Sequence, residues 1–79
     1  MDNMFTYNIS KTASKAEFNR ACTAIESNLK IIEKDDLITD VDGTQIQIYN
    51  TNDGKIKVFN DYEVDAVYAD SEVNLTDIL

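Results

Sequence analysis

The sequence predicts an α+β fold in which one helix packs on a small antiparallel sheet, in the order strand, helix, strand, strand, strand. Three observations predict it: an alternating segment near the N-terminus, one helical stripe after a capping motif, and later alternating segments separated by turns. The chain has 79 residues, no proline and only two glycines, which mark turns. We therefore expect residues 1–79 to form a single small domain.

The first predicted element is a strand over residues 4–10. Phe5, Tyr7 and Ile9 alternate with Thr6 and Asn8, which is the period of a half-buried strand. We expect the side that carries the two aromatic residues to face the core.

The predicted helix begins after Ser14. Residues 14–17 match a capping box, in which the Ser14 hydroxyl accepts the Glu17 N–H and the Glu17 carboxylate accepts the Ser14 N–H. Apolar residues then recur at steps of four and three, at Phe18, Cys22, Ile25, Leu29 and Ile32. This stripe is predicted to cover the sheet. Cys22 is the only cysteine, so it forms no internal disulfide and is expected to be a buried apolar side chain.

A hairpin is predicted over residues 44–61, around the turn sequence Asn52-Asp53-Gly54. A three-residue loop pairs Ile48 with Val58 and Asn50 with Ile56. That register separates the two faces of the hairpin cleanly. The helix side receives Ile46, Ile48, Ile56 and Val58, and the outward side receives Gln47, Tyr49, Lys55, Lys57 and Phe59.

The last part of the chain allows more than one interpretation. Residues 61–69 alternate apolar and acidic side chains, which predicts a strand, with a helix capped by Asp61 as the alternative. Residues 70–79 fit a last strand, a short helix, or a segment that becomes ordered on a partner.

Acidic charge is concentrated in one half of the chain. Residues 1–34 carry five basic and four acidic side chains, whereas residues 35–79 carry two basic and eleven acidic ones. The one-sided field of such a chain selects partners by sign. A basic partner is the natural expectation.

Three acidic residues at alternate positions, Asp61, Glu63 and Asp65, suggest how such a partner is bound. On a strand they stand about 6.6 Å apart, similar to the spacing of neighbouring phosphates along a nucleic-acid strand. The alternative is a solvated sheet face, or an edge protected by like charges. The predicted partner-binding residues are Tyr49, Phe59, Asp61, Tyr62, Glu63, Asp65, Asp70 and Glu72.

Several other chemistries are not expected. The chain has no histidine, which excludes Ser-His and Cys-His nucleophiles, and neither glycine fits a phosphate-binding loop. A calcium loop with Gly43 at its sixth position would place Ile38 first and Tyr49 last, where carboxylates are needed. We therefore expect no enzymatic activity, cofactor or metal site, and the negative face argues against direct nucleic-acid binding.

The expected location is the cytoplasm. No apolar run approaches the roughly 18 residues of a membrane span, so no membrane partner is expected. Met1-Asp2-Asn3 has neither the basic stretch nor the apolar core of a signal peptide.

In size and charge the chain resembles phage and mobile-element proteins that block host restriction, CRISPR or repair enzymes and so evade host defence. It is also similar to antitoxin and immunity proteins that cap a basic toxin. This resemblance covers the whole chain and carries over no residue role. The charge distribution and the acidic row predict a small acidic inhibitor that binds a basic nucleic-acid-handling protein such as a nuclease, in part as a DNA mimic. The alternative is a structural or adaptor subunit that forms a homodimer, or docks, through the outward sheet face.

Overall fold

A computed structural model describes residues 4–79, in which one helix packs on one face of a six-stranded antiparallel sheet. This confirms the predicted α+β class. The expectation for Met1-Asp2-Asn3 concerns residues outside the described range. The elements are β1 Phe5–Ser10, α1 Lys15–Asn28, β2 Glu33–Lys34, β3 Ile38–Thr39, β4 Gln45–Thr51, β5 Gly54–Asp61 and β6 Ala66–Ser71. The strand order is β1-β6-β5-β4-β2, and β3 also pairs with β4.

The helix begins at the predicted cap. The Ser14 Oγ atom accepts the Glu17 N–H at 3.2 Å. The predicted return bond from Glu17 is wrong, because the Glu17 carboxylate instead binds the guanidinium of Arg20. The Ser14 N–H donates to the Oδ1 atom of buried Asn60 at 3.0 Å. A side chain of β5 thus completes the cap and fixes the start of the helix on the sheet.

The core lies between the helix and alternate residues of the sheet. The helix contributes Phe18, Ala21, Cys22 and Ile25, and the rest of the chain contributes Tyr49, Ile56, Val58, Val67, Ala69 and Leu75. The burial of Cys22 was predicted. The helix ends at Asn28, so the predicted apolar stripe stops earlier than expected and Ile32 is 59% exposed.

The register of the β4–β5 hairpin differs from the prediction by one residue. Thr51 pairs with Gly54, which leaves Asn52 and Asp53 as a two-residue turn. The Thr51 hydroxyl supports the turn by accepting the Asp53 N–H at 3.1 Å and donating to the Gly54 carbonyl at 2.9 Å. The predicted pairs of Ile48 with Val58 and Asn50 with Ile56 are therefore wrong.

This shift exchanges the two faces of β4. Gln47 and Tyr49 face the helix, whereas Ile46 and Ile48 lie on the outer face of the sheet, which is the face away from α1. The inward polar atoms are satisfied, because the Gln47 amide donates to the Asp35 carbonyl at 2.6 Å and the Tyr49 hydroxyl donates to a carboxylate of α1. The predicted outward positions on β5, Lys55, Lys57 and Phe59, are correct.

The strand predicted over residues 61–69 is interrupted. The chain remains in β5 up to Asp61, reverses through a turn at residues 62–65, and enters β6 at Ala66. The Asp61 Oδ1 atom accepts the N–H groups of Glu63 and Val64 at 2.9 and 3.2 Å, which is the side-chain turn that aspartate favours. Asp65 leaves the turn with a φ of 57°. Both the continuous strand and the alternative helix are wrong for residues 62–65.

Two further regions depend on contacts distant in sequence. The short strands β2 and β3 were not predicted, and both pair with β4. Of residues 70–79, the first two belong to β6, and residues 72–79 continue as neither a strand nor a helix but form a turn against this chain's own β1. There Leu75 is fully buried, and its N–H donates to the Tyr7 hydroxyl at 2.7 Å.

No helix of residues 4–79 has both the length and the apolar composition that a membrane crossing needs, since α1 contains 14 residues.

Candidate functional site

The candidate site is one end of the sheet, which we call the acidic end and define as residues 40–44 and 61–65. Strand β4 begins at this end and the antiparallel β5 finishes there, with Gln45 paired to Asn60. The loop before β4 and the turn after β5 are therefore neighbours in space. Together they bring five carboxylates to one end of the protein, from Asp40, Asp42, Asp61, Glu63 and Asp65.

A hydrogen bond holds the loop and the turn together. The Tyr62 N–H donates to the Thr44 hydroxyl at 3.1 Å. Gly43 has a φ of +92°, and a Cβ atom built on it would lie 3.6 Å from the Tyr62 ring. The positive φ favours glycine at this position. The two segments thus form one surface.

The carboxylates of the turn are held in place by hydrogen bonds. Both oxygens of Asp61 are engaged, since Oδ1 accepts from the turn backbone and Oδ2 accepts the Tyr68 hydroxyl at 3.1 Å. The Asp65 Oδ1 atom accepts the Ala13 N–H at 2.8 Å, which connects the turn to the segment before α1. These two residues therefore stabilise the conformation of the turn and also contribute negative charge to it.

The carboxylates of the loop are similarly ordered. The Asp40 Oδ1 atom accepts the Val41 N–H at 2.7 Å, and the Asp42 Oδ1 atom accepts the Thr44 N–H at 2.9 Å. The hydrogen bond from the Thr44 backbone is the main reason that the pKa of Asp42 lies below its ordinary value. Asp42 therefore stays negatively charged at neutral pH.

Exposed apolar side chains are interspersed with these acids. Val41 is fully exposed, Val64 is 62% exposed and Tyr62 is 45% exposed. A surface that combines fixed charges with exposed apolar side chains has the composition of a protein-binding site, in which apolar groups are desolvated and charges select the partner.

The structure brings four of the predicted site residues together at the acidic end: Asp61, Tyr62, Glu63 and Asp65. The predicted geometry of the acids is wrong, because Glu63 and Asp65 lie in a turn and not on a strand. The regular spacing of about 6.6 Å that a strand imposes therefore does not apply to them.

The other four predicted site residues are dispersed. Tyr49 is fully buried against the helix, so the prediction that it faces outward is wrong. Phe59 and Asp70 lie on the outer face, where Asp70 accepts the Thr6 hydroxyl at 3.1 Å. Glu72 lies by the β4–β5 turn and accepts the Lys55 N–H at 2.8 Å.

The sequence interpretation missed the loop half of the acidic end. Asp40, Val41 and Asp42 are not among the predicted partner-binding residues. No group of three or more histidine, cysteine, aspartate or glutamate side chains is placed to hold a metal ion within residues 4–79. The signal that identifies the loop is its Asp-Val-Asp-Gly sequence, an acidic turn that leaves an apolar residue with no helix or strand to bury it.

A second cluster of polar groups lies beside the helix, in a cleft of about 540 Å³ that includes Cys22, Glu26, Lys34 and Tyr49 among its lining residues. The Glu26 carboxylate accepts the Tyr49 hydroxyl at 2.5 Å and pairs with the Lys34 ammonium at 3.0 Å. Burial raises the pKa of both the Cys22 thiol and the Tyr49 hydroxyl above their ordinary values. Both groups are therefore protonated at neutral pH, the opposite of an activated nucleophile.

No family model, curated protein sequence or solved structure matches this chain.

Proposed function

We propose that this chain is a small acidic inhibitor that binds a basic nucleic-acid-handling protein through its acidic end. The observation that carries the proposal is the joining of two loops into one surface with five carboxylates and three exposed apolar side chains. The proposed role is that of a binding protein, without catalysis, cofactor or metal. The expected class of partner is a nuclease, or a restriction, CRISPR, repair or toxin protein, encountered in the cytoplasm.

Charge supports a basic partner. The whole chain has a formal net charge of −8, and the acidic half contributes all of the excess. A field of this sign accelerates encounter with a basic groove and disfavours acidic partners. Nucleic-acid-handling proteins are the class whose function requires such a groove.

The apolar side chains supply the contact energy that exposed charges lack. Exposed ion pairs contribute only about 0–1 kcal/mol each. Burial of Tyr62, Val41 and Val64 against a partner would remove apolar surface from water, worth about 25 cal/mol per Å² before the costs of association. We therefore assign affinity to these three residues, and on-rate and partner selection to the acids.

The hydrogen bonds within the loops support the proposal in a second way. Asp40, Asp42 and Asp65 each use one carboxylate oxygen to fix a backbone N–H of their own chain. Such groups lose little freedom on binding, which lowers the entropic cost of association. The acids do not form a regular row on a strand. We therefore propose that the chain imitates the negative charge of a nucleic acid and occupies the same groove, without reproducing the spacing of the phosphates.

The experiment is affinity capture from a lysate of the native host, with nuclease added, at low and moderate salt, followed by mass spectrometry. The expected partner is a basic nucleic-acid-binding protein that is retained at low salt. Added DNA or RNA should then release it, since the nucleic acid competes for the same groove. Recovery of no basic protein, or of one that nucleic acid does not displace, would contradict the proposal.

A matched pair of variants locates the contact. The acidic-end variant removes four charges but keeps hydrogen-bond acceptors: Asp40→Asn, Asp42→Asn, Glu63→Gln and Asp65→Asn. The control removes four charges elsewhere: Asp35→Asn, Asp36→Asn, Asp53→Asn and Asp77→Asn. Both variants have the same net charge, so only the position differs. We expect the acidic-end variant to lose about tenfold or more in affinity relative to the control.

A further inference from the structure

The outer face of the sheet carries a continuous row of apolar side chains. This apolar row consists of Ile38 on β3, Ile46 on β4, Phe59 on β5 and Tyr68 on β6, each paired with the next across the strands. With strands about 4.8 Å apart, the row spans roughly 14 Å. Ile38 is 47% exposed and the other three are half-buried. The Phe59 and Tyr68 rings stack with their centroids 4.7 Å apart.

The charges around the apolar row are of both signs, with two lysines and four carboxylates, whereas the rest of the acidic half carries no basic side chain. Both lysines of residues 35–79, Lys55 and Lys57, lie on the outer face. The register places the carboxylates of Glu33, Asp61 and Asp70 on the same face, and Glu72 lines a cleft there with Lys55, Lys57 and Asp70. Lys57 and Asp70 are direct cross-strand partners. The face therefore combines an apolar centre with a rim of both signs.

We infer that the outer face is an interface between two copies of this chain. Two molecules with a net charge of −8 repel each other, so self-association is favoured only through a surface that adds little to this repulsion. The outer face holds both lysines of the acidic half, so contact through it adds less repulsion than contact through the acidic end. A two-fold axis brings the same patch of each copy together, so the apolar rows can cover one another while lysines of one copy approach carboxylates of the other. This inference does not depend on the proposed function, because the apolar row lies outside the acidic end, although Asp61 belongs to both surfaces.

The salt dependence of dimerisation should differ from the salt dependence of binding to a basic partner. Added salt screens the repulsion between two acidic chains and leaves the apolar contact in place. Dimerisation should therefore strengthen between about 20 and 300 mM salt, over which the Debye length falls from roughly 20 to 6 Å. Binding of a basic partner at the acidic end should weaken over the same range.

The experiment is sedimentation equilibrium of the full chain at neutral pH, at several protein concentrations and at both salt concentrations. The expected mass rises with concentration from 8.9 kDa toward twice that value, and rises further at the higher salt. A mass that stays at 8.9 kDa up to about 1 mM protein in both salts, far above the Kd of a stable interface, would overturn the inference.

Two matched pairs of variants place the contact. Ile38→Lys puts a charge in the apolar row, and Leu37→Lys makes the same change of charge at a similarly exposed apolar position beside the helix, off the row. Lys57→Glu reverses a charge on the outer face, and Lys30→Glu does so beyond the end of α1. Ile38→Lys should weaken dimerisation at least about tenfold relative to its control, and Lys57→Glu should also exceed its control. Equal association within both pairs would refute the interface, and circular dichroism confirms that each variant is folded.

Discussion

The hydroxyl of Thr44 accepts a hydrogen bond from the Tyr62 N–H at 3.1 Å, and this bond joins segments 18 residues apart in sequence. Thr44 precedes β4 and Tyr62 follows β5, so the bond lies at the end of the sheet where β4 begins and β5 finishes. The acids of the loop and of the turn form one surface because this contact holds the segments together. The acidic end is therefore a product of the fold and not of one stretch of sequence.

Replacement of Thr44 tests that connection. Thr44→Val keeps the shape but removes the acceptor, which leaves the Tyr62 N–H unsatisfied in a partly buried position. We expect the free energy of unfolding to fall by about 1–2 kcal/mol. Urea denaturation measures the change, with Thr39→Val at an exposed strand position as the control. Equal stability of the two variants would show that the bond contributes nothing.

The hairpin register predicts that substitutions at the neighbours Tyr49 and Ile48 differ in their effect on stability. Tyr49 is fully buried in the core, whereas Ile48 lies half-buried on the outer face. We expect Tyr49→Ala to lower the free energy of unfolding by about 3–5 kcal/mol, in the range for buried aromatic residues, and Ile48→Ala to lower it by about 1 kcal/mol. Chemical denaturation of both variants checks the order. The register shifted by one residue predicts the reverse order.

The Tyr49 hydroxyl should give stability a specific pH dependence. Its hydrogen bond to Glu26 is the main reason that the pKa of this carboxyl lies below its ordinary value. A lowered folded-state pKa contributes stability above the unfolded value of about 4.3, and that stability is lost as pH falls through the folded value. Tyr49→Phe should therefore cost about 1 kcal/mol at pH 7, and the difference from the wild type should shrink below about pH 4.

Urea unfolding at pH 7, 5 and 3 measures that difference. Tyr62→Phe is the control. Tyr62 is exposed, and within residues 4–79 its hydroxyl binds the Asn60 amide and no carboxylate. Its effect on stability should not change over this pH range. A Tyr49→Phe deficit that is constant from pH 7 to 3 would contradict the assignment.

Asn60 links the sheet to the start of the helix. Its Oδ1 atom accepts the Ser14 N–H at 3.0 Å, and its Nδ2 atom donates to the Gln45 side chain at 3.2 Å. Asn60→Ala leaves both partners unsatisfied next to the core, and should lower the free energy of unfolding by about 2–3 kcal/mol. Amide exchange should show reduced protection at Ser14. Asn19→Ala, at an exposed helical position, should change neither quantity appreciably.

The elements with a strong local signal could be predicted from the sequence. The cap at Ser14, the apolar side of the helix from Phe18 to Ile25 and the alternation of β1 depend on neighbouring residues, and these predictions are confirmed. The short strands β2 and β3 have no periodic signal of their own. They form because β4 offers a backbone edge to pair with.

The hairpin register could not be predicted from hydrophobicity alone. The hydrophobic pattern favours isoleucines in the core. Gln47 and Tyr49 are buried there instead, because their polar ends form hydrogen bonds with Asp35 and Glu26. The conformation of the candidate site also depends on hydrogen bonds that the hydrophobic pattern does not reveal. Asp61 matches either an alternating strand or a turn, and only its bonds to the following backbone decide between them.

The salt dependence of partner binding tests the central claim most directly. The captured basic protein is purified, and its Kd is measured for the wild type, the acidic-end variant and the matched control over about 50–300 mM salt. We predict that affinity falls with salt for the wild type and the control, and that the acidic-end variant binds more weakly with a shallower dependence. Equal affinities and equal salt dependences for the two variants would contradict the assignment of the acidic end as the binding surface.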